Sequence, residues 1–440
     1  MGLEVFEQGT LPRWALVRQK LDATEIESVE SAVAAQFARA DVRAAIRPGM
    51  RVALTAGSRG IDRIGEVLRE AVVQLRALGA EPFVVPAMGS HGGATADGQR
   101  ALIAHYGVTE EAVGCPVRAS MDVVRLGEVD SGAFRDVPVW FDRIAFEEAD
   151  AVVPVGRVKP HTDFHGDVES GLMKMIAIGL GKQQGASTFH GRGIGEFHHL
   201  IPAVATYTLS KVPIPFGLAL VENGFGHLSL IEAVPAAQIR TREPALLEMA
   251  RAKLARLPAV AAVDVLIVDE IGKDISGDGA DPNVVNRDVA GVVDYAALGA
   301  RPTVQRMVVR DLTDETEGNA TGIGMFDFAL ARAVARLDPI ATAMNMITAK
   351  SPQGGRVPIT VDSDRQALHL ALASALNLPE SGARVLRIRN TKELETLLAS
   401  EALLQELAAL DGVEILGELA PIEFDPVGMF RDPVSAAVSR

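Results

Sequence analysis

A short apolar run, a glycine-rich turn, an amphipathic helix and a second apolar run follow one another between residues 50 and 88, and nothing else in the chain restricts its fold so much. Residues 50–56 (MRVALTA) stop at Gly57, and residues 62–78 then carry Ile64, Val67, Leu68, Ala71, Val72 and Leu75 at helical spacing. Gly79 closes that helix, and residues 82–88 (PFVVPAM) form another buried run. Such a unit reads as two parallel strands joined by a helix, with its loops gathered at the carboxyl ends of the strands. Two glycine loops, 57–60 (GSRG) and 89–93 (GSHGG), then share one sheet edge.

The pattern continues. Residues 149–155 (ADAVVPV) read as a strand that delivers Arg157, Lys159 and His161 at its end, and residues 216–221 (FGLALV) as another. After a helical stretch over 243–257, the run AAVDVLIVDEIG from 261 looks like a fresh parallel strand. Further strands are predicted at 306–309 and 383–388, with helices at 329–337, 365–376 and 391–410. A chain of 440 residues exceeds one ordinary core, and its 48% hydrophobic content suffices for two. The expectation is an α/β protein of two domains, 1–260 and 261–440, with mainly parallel sheets flanked by helices and an active-site cleft between them. The tail after residue 412 is expected to pack back on the first domain.

A net charge of −14 repels phosphate backbones and anionic lipid, so neither a nucleic-acid nor a membrane partner is expected. Cys115 is the one cysteine, which rules out an intrachain disulfide framework and any cysteine-built metal site. A metal must then take histidine, carboxylate or sulfur brought by a cofactor. The opening MGLEVFEQGTLPRW has no basic-then-apolar leader pattern, and no run reaches about 18 apolar residues, so a soluble cytoplasmic protein is expected.

Chemistry concentrates in residues 155–190, where His161, His165 and His190 stand with lysines among glycines and short apolar turns. Imidazole and amine groups ligate metals, move protons near neutral pH or capture carbonyl and thioacyl groups. His91, flanked by glycines after a buried strand, is exposed where α/β proteins place ligands, with Thr95 able to cap the next helix. Pro160 and Gly166 put His161 and His165 in a loop rather than on one helix face. Lys174 interrupts the apolar run SGLMKMIAIGLG, where burial without a partner would make it nucleophilic, and snorkelling from a helix is the plain alternative. No glycine cluster has the order of a dinucleotide or P-loop fingerprint. On these residues alone, a zinc hydrolase using His161, His165 and Asp163 or Asp167 stays open, as does a non-catalytic binder of a small ligand.

The loop GSHGGAT, the Pro-His dipeptide, the segment ESGLMK ending in Lys174 and a histidine sixteen residues later together resemble the lactate racemase family, the nickel-pincer nucleotide enzymes. The resemblance spans roughly residues 45–280. It maps His91, His161, Lys174 and His190 onto the family pattern, and Arg59 in AGSRG onto the arginine of its Thr-Arg-Pro loop. Gly60 replaces that proline, Ala56 stands where an aspartate is usual, and Met175 and Ile176 replace a proline and glycine after the lysine. His161 precedes Lys174 by thirteen residues and His165 by nine, so either can inherit the second catalytic position; the preceding proline favours His161. The family's Tyr-Gln pair is absent from 270–277, where Lys273 is the nearest substitute.

The resemblance implies racemisation or epimerisation of a small 2-hydroxy acid, lactate-like or a sugar acid. Its cofactor would be a pyridinium mononucleotide holding nickel through carbon and two sulfurs. Lys174 would anchor that group through a thioamide, and His190 would complete the nickel coordination. His91 and His161, or His165, would take the hydroxyl proton from opposite enantiomers, while Arg59 and Lys273 hold the substrate carboxylate or the cofactor phosphate.

Overall fold

The computed structural model describes residues 2–58, 60–289 and 293–431, and the chain divides into two compact units, Asp22–Leu254 and Met1–Leu21 with Ala255–Arg440. In the first, the strand Arg51–Ala56 lies between Glu81–Pro86 and Ala151–Val153, all parallel. The helix Ile64–Ala77 makes the crossover, so the strand, helix and strand predicted at 50–88 form with small shifts in their ends. Val52 and Leu54 face one core cluster with Val67, Leu68 and Val72, while Ala53 faces another with Phe83, Val85 and Leu172. Both faces are therefore covered, which is why these strands read as unbroken apolar runs.

The strand predicted at 149–155 is split at Pro154 into Ala151–Val153 and Val155–Arg157. The second piece pairs in parallel with Phe216–Glu222, which pairs antiparallel with Leu228–Pro235. Thr55 spans the break: its buried Oγ1 accepts from Val155 N at 2.8 Å and lies 3.3 Å from Val155 O. A side-chain hydroxyl thus satisfies the ladder groups left over where the sheet changes partners. A hairpin, Val123–Ser131 and Phe134–Asp142, completes this unit against the helices Lys182–His190 and Phe197–Lys211.

The other unit has five parallel strands in the order Ile359–Val361, Phe328–Leu330, Thr303–Leu312, Ala262–Ile271 and Val385–Ile388. Three antiparallel strands extend it: Thr396–Ser400, Arg13–Gln19 and Val413–Ile415. The architecture is mixed α/β with mostly parallel sheets flanked by helices. Among the described residues no helix is long and apolar enough to cross a membrane.

Several expectations are revised. Residues 13–19, counted above with the N-terminal domain, are hydrogen-bonded between 396–400 and 413–415. Val17 is fully buried there, and the Trp14 ring packs 5.2 Å from Phe430. The segment after 412 pairs with those same residues 13–19, in one unit with the C-terminal strands. The helix expected over 391–410 begins only at Glu401, because 396–400 is a strand buried between two partners. Likewise the stretch 329–337 opens as the end of the strand Phe328–Leu330 before turning helical at Ala331, and the helix expected at 243–257 runs from Ala236 to Lys253.

Candidate functional site

Lys174 ends the short helix Leu172–Lys174 and leads directly into a π-helical turn, Met175–Gly179, closed by Leu180 N donating to Met175 O at 2.9 Å. Such wide turns are rare and tend to mark functional positions. Lys174 is half-buried, its Nζ 5.9 Å from the centre of the Phe164 ring. The Phe164 ring lies 4.3 Å from the His161 ring and 5.5 Å from Phe197, and Phe197 lies 5.3 Å from the ring of His190. One chain of tilted ring contacts, through Phe164 and Phe197, therefore runs from His161 and Lys174 to His190. Lys182, at φ +54°, turns the chain, and the helix Lys182–His190 folds back on the π turn.

The loop carrying His91 reaches the same turn. Gly89 N donates to Gly179 O at 3.2 Å, and a Cβ on Gly179 would stand 2.7 Å from Ala87 O, so both glycines permit a close approach. Gln99 Nε2 donates to Gly89 O at 2.9 Å and to His91 O at 3.2 Å, fixing the loop from the following helix. That helix, Ala96–His105, is capped by Thr95 as the sequence predicts, with Gly98 N donating to Thr95 Oγ1. The His91 ring is exposed and hydrogen-bonded through Nδ1 to Ser58 Oγ; Ser58 follows Gly57, where a Cβ would come within 3.3 Å of Met175 Cε. Arg59 lies outside the described residues.

His161 and His165 stand in a loop, as Pro160 and Gly166 suggest, and one carboxylate that the sequence reading passed over organises it. The side chain of Glu169 is fully buried. Its Oε2 accepts from His161 N at 2.6 Å, and its Oε1 lies 3.1 Å from both His165 Nδ1 and Gly166 N. Arg251 Nη2 is paired to the same Oε1 and neutralises it. From the same helix as Arg251, Glu243 Oε2 accepts from Met173 N at 3.0 Å, capping the turn that holds Lys174. Gly171 leaves room for that carboxylate, since a Cβ would come within 2.4 Å of Oε1. Burial pushes the Glu243 carboxyl up to about 7.

The signal for Glu169 and for Lys182 was the same: a charged residue in a glycine and apolar run needs a buried partner. Lys182, fully buried, finds Asp142 at 2.7 Å and the carbonyl of Pro86.

No protein-family model and no curated protein matches the chain. Among solved structures, a crystal structure of a protein from Thermotoga maritima is similar over 85% of this chain and 99% of its own, with a TM-score of 0.51 at 11% identity. The lactate racemase apoprotein from Thermoanaerobacterium thermosaccharolyticum is similar over 86% of this chain and 89% of its own, with a TM-score of 0.44 at 17% identity. The likeness to the Thermotoga protein is one of fold.

Two further expectations meet the geometry. Among the described residues, no three histidine, cysteine or carboxylate side chains come together to hold a metal ion, so the zinc set of His161, His165 and Asp163 or Asp167 does not form. Asp163 bonds to Thr162 at 2.8 Å, and Asp167 is largely exposed, 3.7 Å from Arg240. Lys273 belongs to the other unit, where its Nζ donates to Gly277 O at 2.7 Å.

The aromatic chain brings the Lys174 amine and the imidazoles of His161 and His190 about Phe164 and Phe197.

Proposed function

We propose that this chain is a racemase or epimerase of a 2-hydroxy acid, of the lactate racemase kind, working with a tethered nickel-pincer nucleotide. One observation carries the reading: the His91 loop and the helical segment bearing Lys174 and His190 meet at Gly89 and Gly179, with His161 joined to the same place through Phe164. Lys174 would hold the cofactor covalently and His190 would ligate its metal. When bound, the group supplies a hydride acceptor for the carbon that carries the hydroxyl.

The chain's own residues do the rest. As the hydroxy acid becomes a 2-oxo acid, carbon gives up a hydride and the hydroxyl proton must go to a base; return of hydride to the opposite face of the carbonyl carbon, with return of a proton to its oxygen, would invert the centre. His91 serves as base for one enantiomer and a histidine of the 161–165 loop for the other, each contributing about a hundred- to ten-thousand-fold. The ring face of Phe164 stabilises the Lys174 ammonium before attachment and shields the anchored link from water. Arg59 would hold the carboxylate or the cofactor phosphate.

Intact-mass spectrometry of protein co-expressed with cofactor-making enzymes tests the assignment. The expected result is an adduct on Lys174 that disappears in Lys174→Ala, together with nickel at one equivalent per chain. Substitution of His91 by Ala should leave the adduct in place and abolish inversion. An unmodified lysine in a nickel-free protein would overturn the reading, and ligand binding without turnover, unchanged by His91→Ala, would favour a simple binder.

A further inference from the structure

The helix Pro339–Thr348 carries apolar side chains on both of its faces. Thr342 and Met346 are buried on one side, where a Cβ on Gly355 would come within 3.4 Å of either, so the turn Pro352–Gly355 packs there. On the other side Ile340, Met344 and Ile347 are 75%, 63% and 62% exposed, with Ala343 and Thr348 exposed between them. These positions follow the i, i+3, i+4, i+7, i+8 spacing of a single helix stripe. Such a stripe ordinarily faces a core, and a helix that is apolar all round is ordinarily covered on every side.

The charges about the stripe indicate what covers it. Residues 339–349 carry none, in a chain of net charge −14, so two copies of an otherwise acidic molecule can meet on this face without repulsion. The charges at its two ends are opposite in sign and evenly placed. Asp338, the N-cap, and Lys350, just past the last turn, are both exposed and stand six positions either side of Met344, about 9 Å along the axis. Asp338 caps Ile340 N and Ala341 N through Oδ1 at 2.8 and 3.0 Å, so its Oδ2 remains for a lysine.

We propose that this face is a homodimer interface, in which the helices Pro339–Thr348 of two copies pack antiparallel about a two-fold axis at Met344. That axis sets Asp338 of one protomer against Lys350 of its partner, twice, and Ile340 against Ile347. It also opposes the two helix dipoles. An isologous contact must be complementary to itself, and this arrangement of charges about an apolar centre is. Val357 and Ile359, 49% and 57% exposed, lie on the segment that leaves the packed turn and add apolar surface toward Ile359–Val361, the outermost strand of its sheet.

Sedimentation velocity of the full chain from about 1 to 100 µM should show a dimer whose share grows with concentration. Met344→Glu puts like charges on the axis and should leave a monomer with an unchanged circular dichroism spectrum. Lys350→Asp should raise the dissociation constant about tenfold. Cross-linking reads the geometry: Met344→Cys should give a disulfide-linked dimer on mild oxidation, whereas Leu376→Cys, at a position 66% exposed in the same unit, should not. Cys115 is buried and stays out of that reaction.

A wild type that remains monomeric at about 100 µM overturns the proposal. So does a dimer that survives Met344→Glu, ignores Lys350→Asp or fails to cross-link through position 344. Protection of Met344 from oxidation in a monomer would show that another segment of the same chain covers the face, which overturns it equally.

Discussion

Glu243 is a residue whose chemistry is moved well away from its ordinary state. It is buried against the amide of Met173, and burial raises its carboxyl from 4.5 to about 7. Between those pH values the folded protein holds a proton that the unfolded chain releases, so the stabilisation is complete below about pH 4.5 and is lost as pH rises to 7. Two and a half pH units correspond to about 3 kcal/mol. Urea unfolding at a series of pH values should show this decline, and Glu243→Gln should flatten it; an equal slope in both proteins would place the proton elsewhere. At this scale the sequence exposed the histidines and Lys174, because imidazoles and an amine stand out in an apolar, glycine-rich run. It did not expose Glu169 or Arg251, which are 82 positions apart and whose pairing depends on where the helix Ala236–Lys253 docks. Even adjacent side chains can mislead: successive helix residues ordinarily point apart, yet His198 and His199 have ring centroids 3.9 Å apart.

Among the elements, the break at Pro154 is where the site's sheet is most dependent on one side chain. Thr55→Val keeps the shape of the residue and removes the hydroxyl, leaving the buried N–H of Val155 without an acceptor. A loss of about 1–3 kcal/mol in unfolding free energy is expected, with Thr55→Ser costing less. Thermal or urea denaturation that cannot tell Thr55→Val from wild type would show that the hydroxyl is replaceable. The strands at 51–56, 81–86 and 262–271 were readable because each is a mostly buried apolar run with a glycine at or soon after its end. The strand Thr396–Ser400 was not, since Leu397, Leu398 and Ala399 favour a helix equally well and only pairing with Arg13–Gln19 and Val385–Ile388 decides the matter.

For the whole molecule, the strand Arg13–Gln19 is the piece whose placement local sequence could not give. Leu16 and Val17 pair with Leu398 and Leu397 on one side, and Val17 with Ile415 on the other. Val17→Pro removes a ladder donor from an interior strand and should release this edge of the sheet. Hydrogen exchange is the suitable measure. Amides of 396–400 should lose protection while those of 51–56, in the other unit, keep theirs. Uniform exchange across both would mean that the units do not unfold separately.

The same strand sets an order of events during synthesis. Residues 13–19 leave the ribosome well before their hydrogen-bonding neighbours, which are translated some 380 to 400 residues later. At about 5–20 residues per second the wait is on the order of 20 to 80 seconds. Throughout it the nascent chain carries an apolar segment with no mate, a natural client for a holding chaperone.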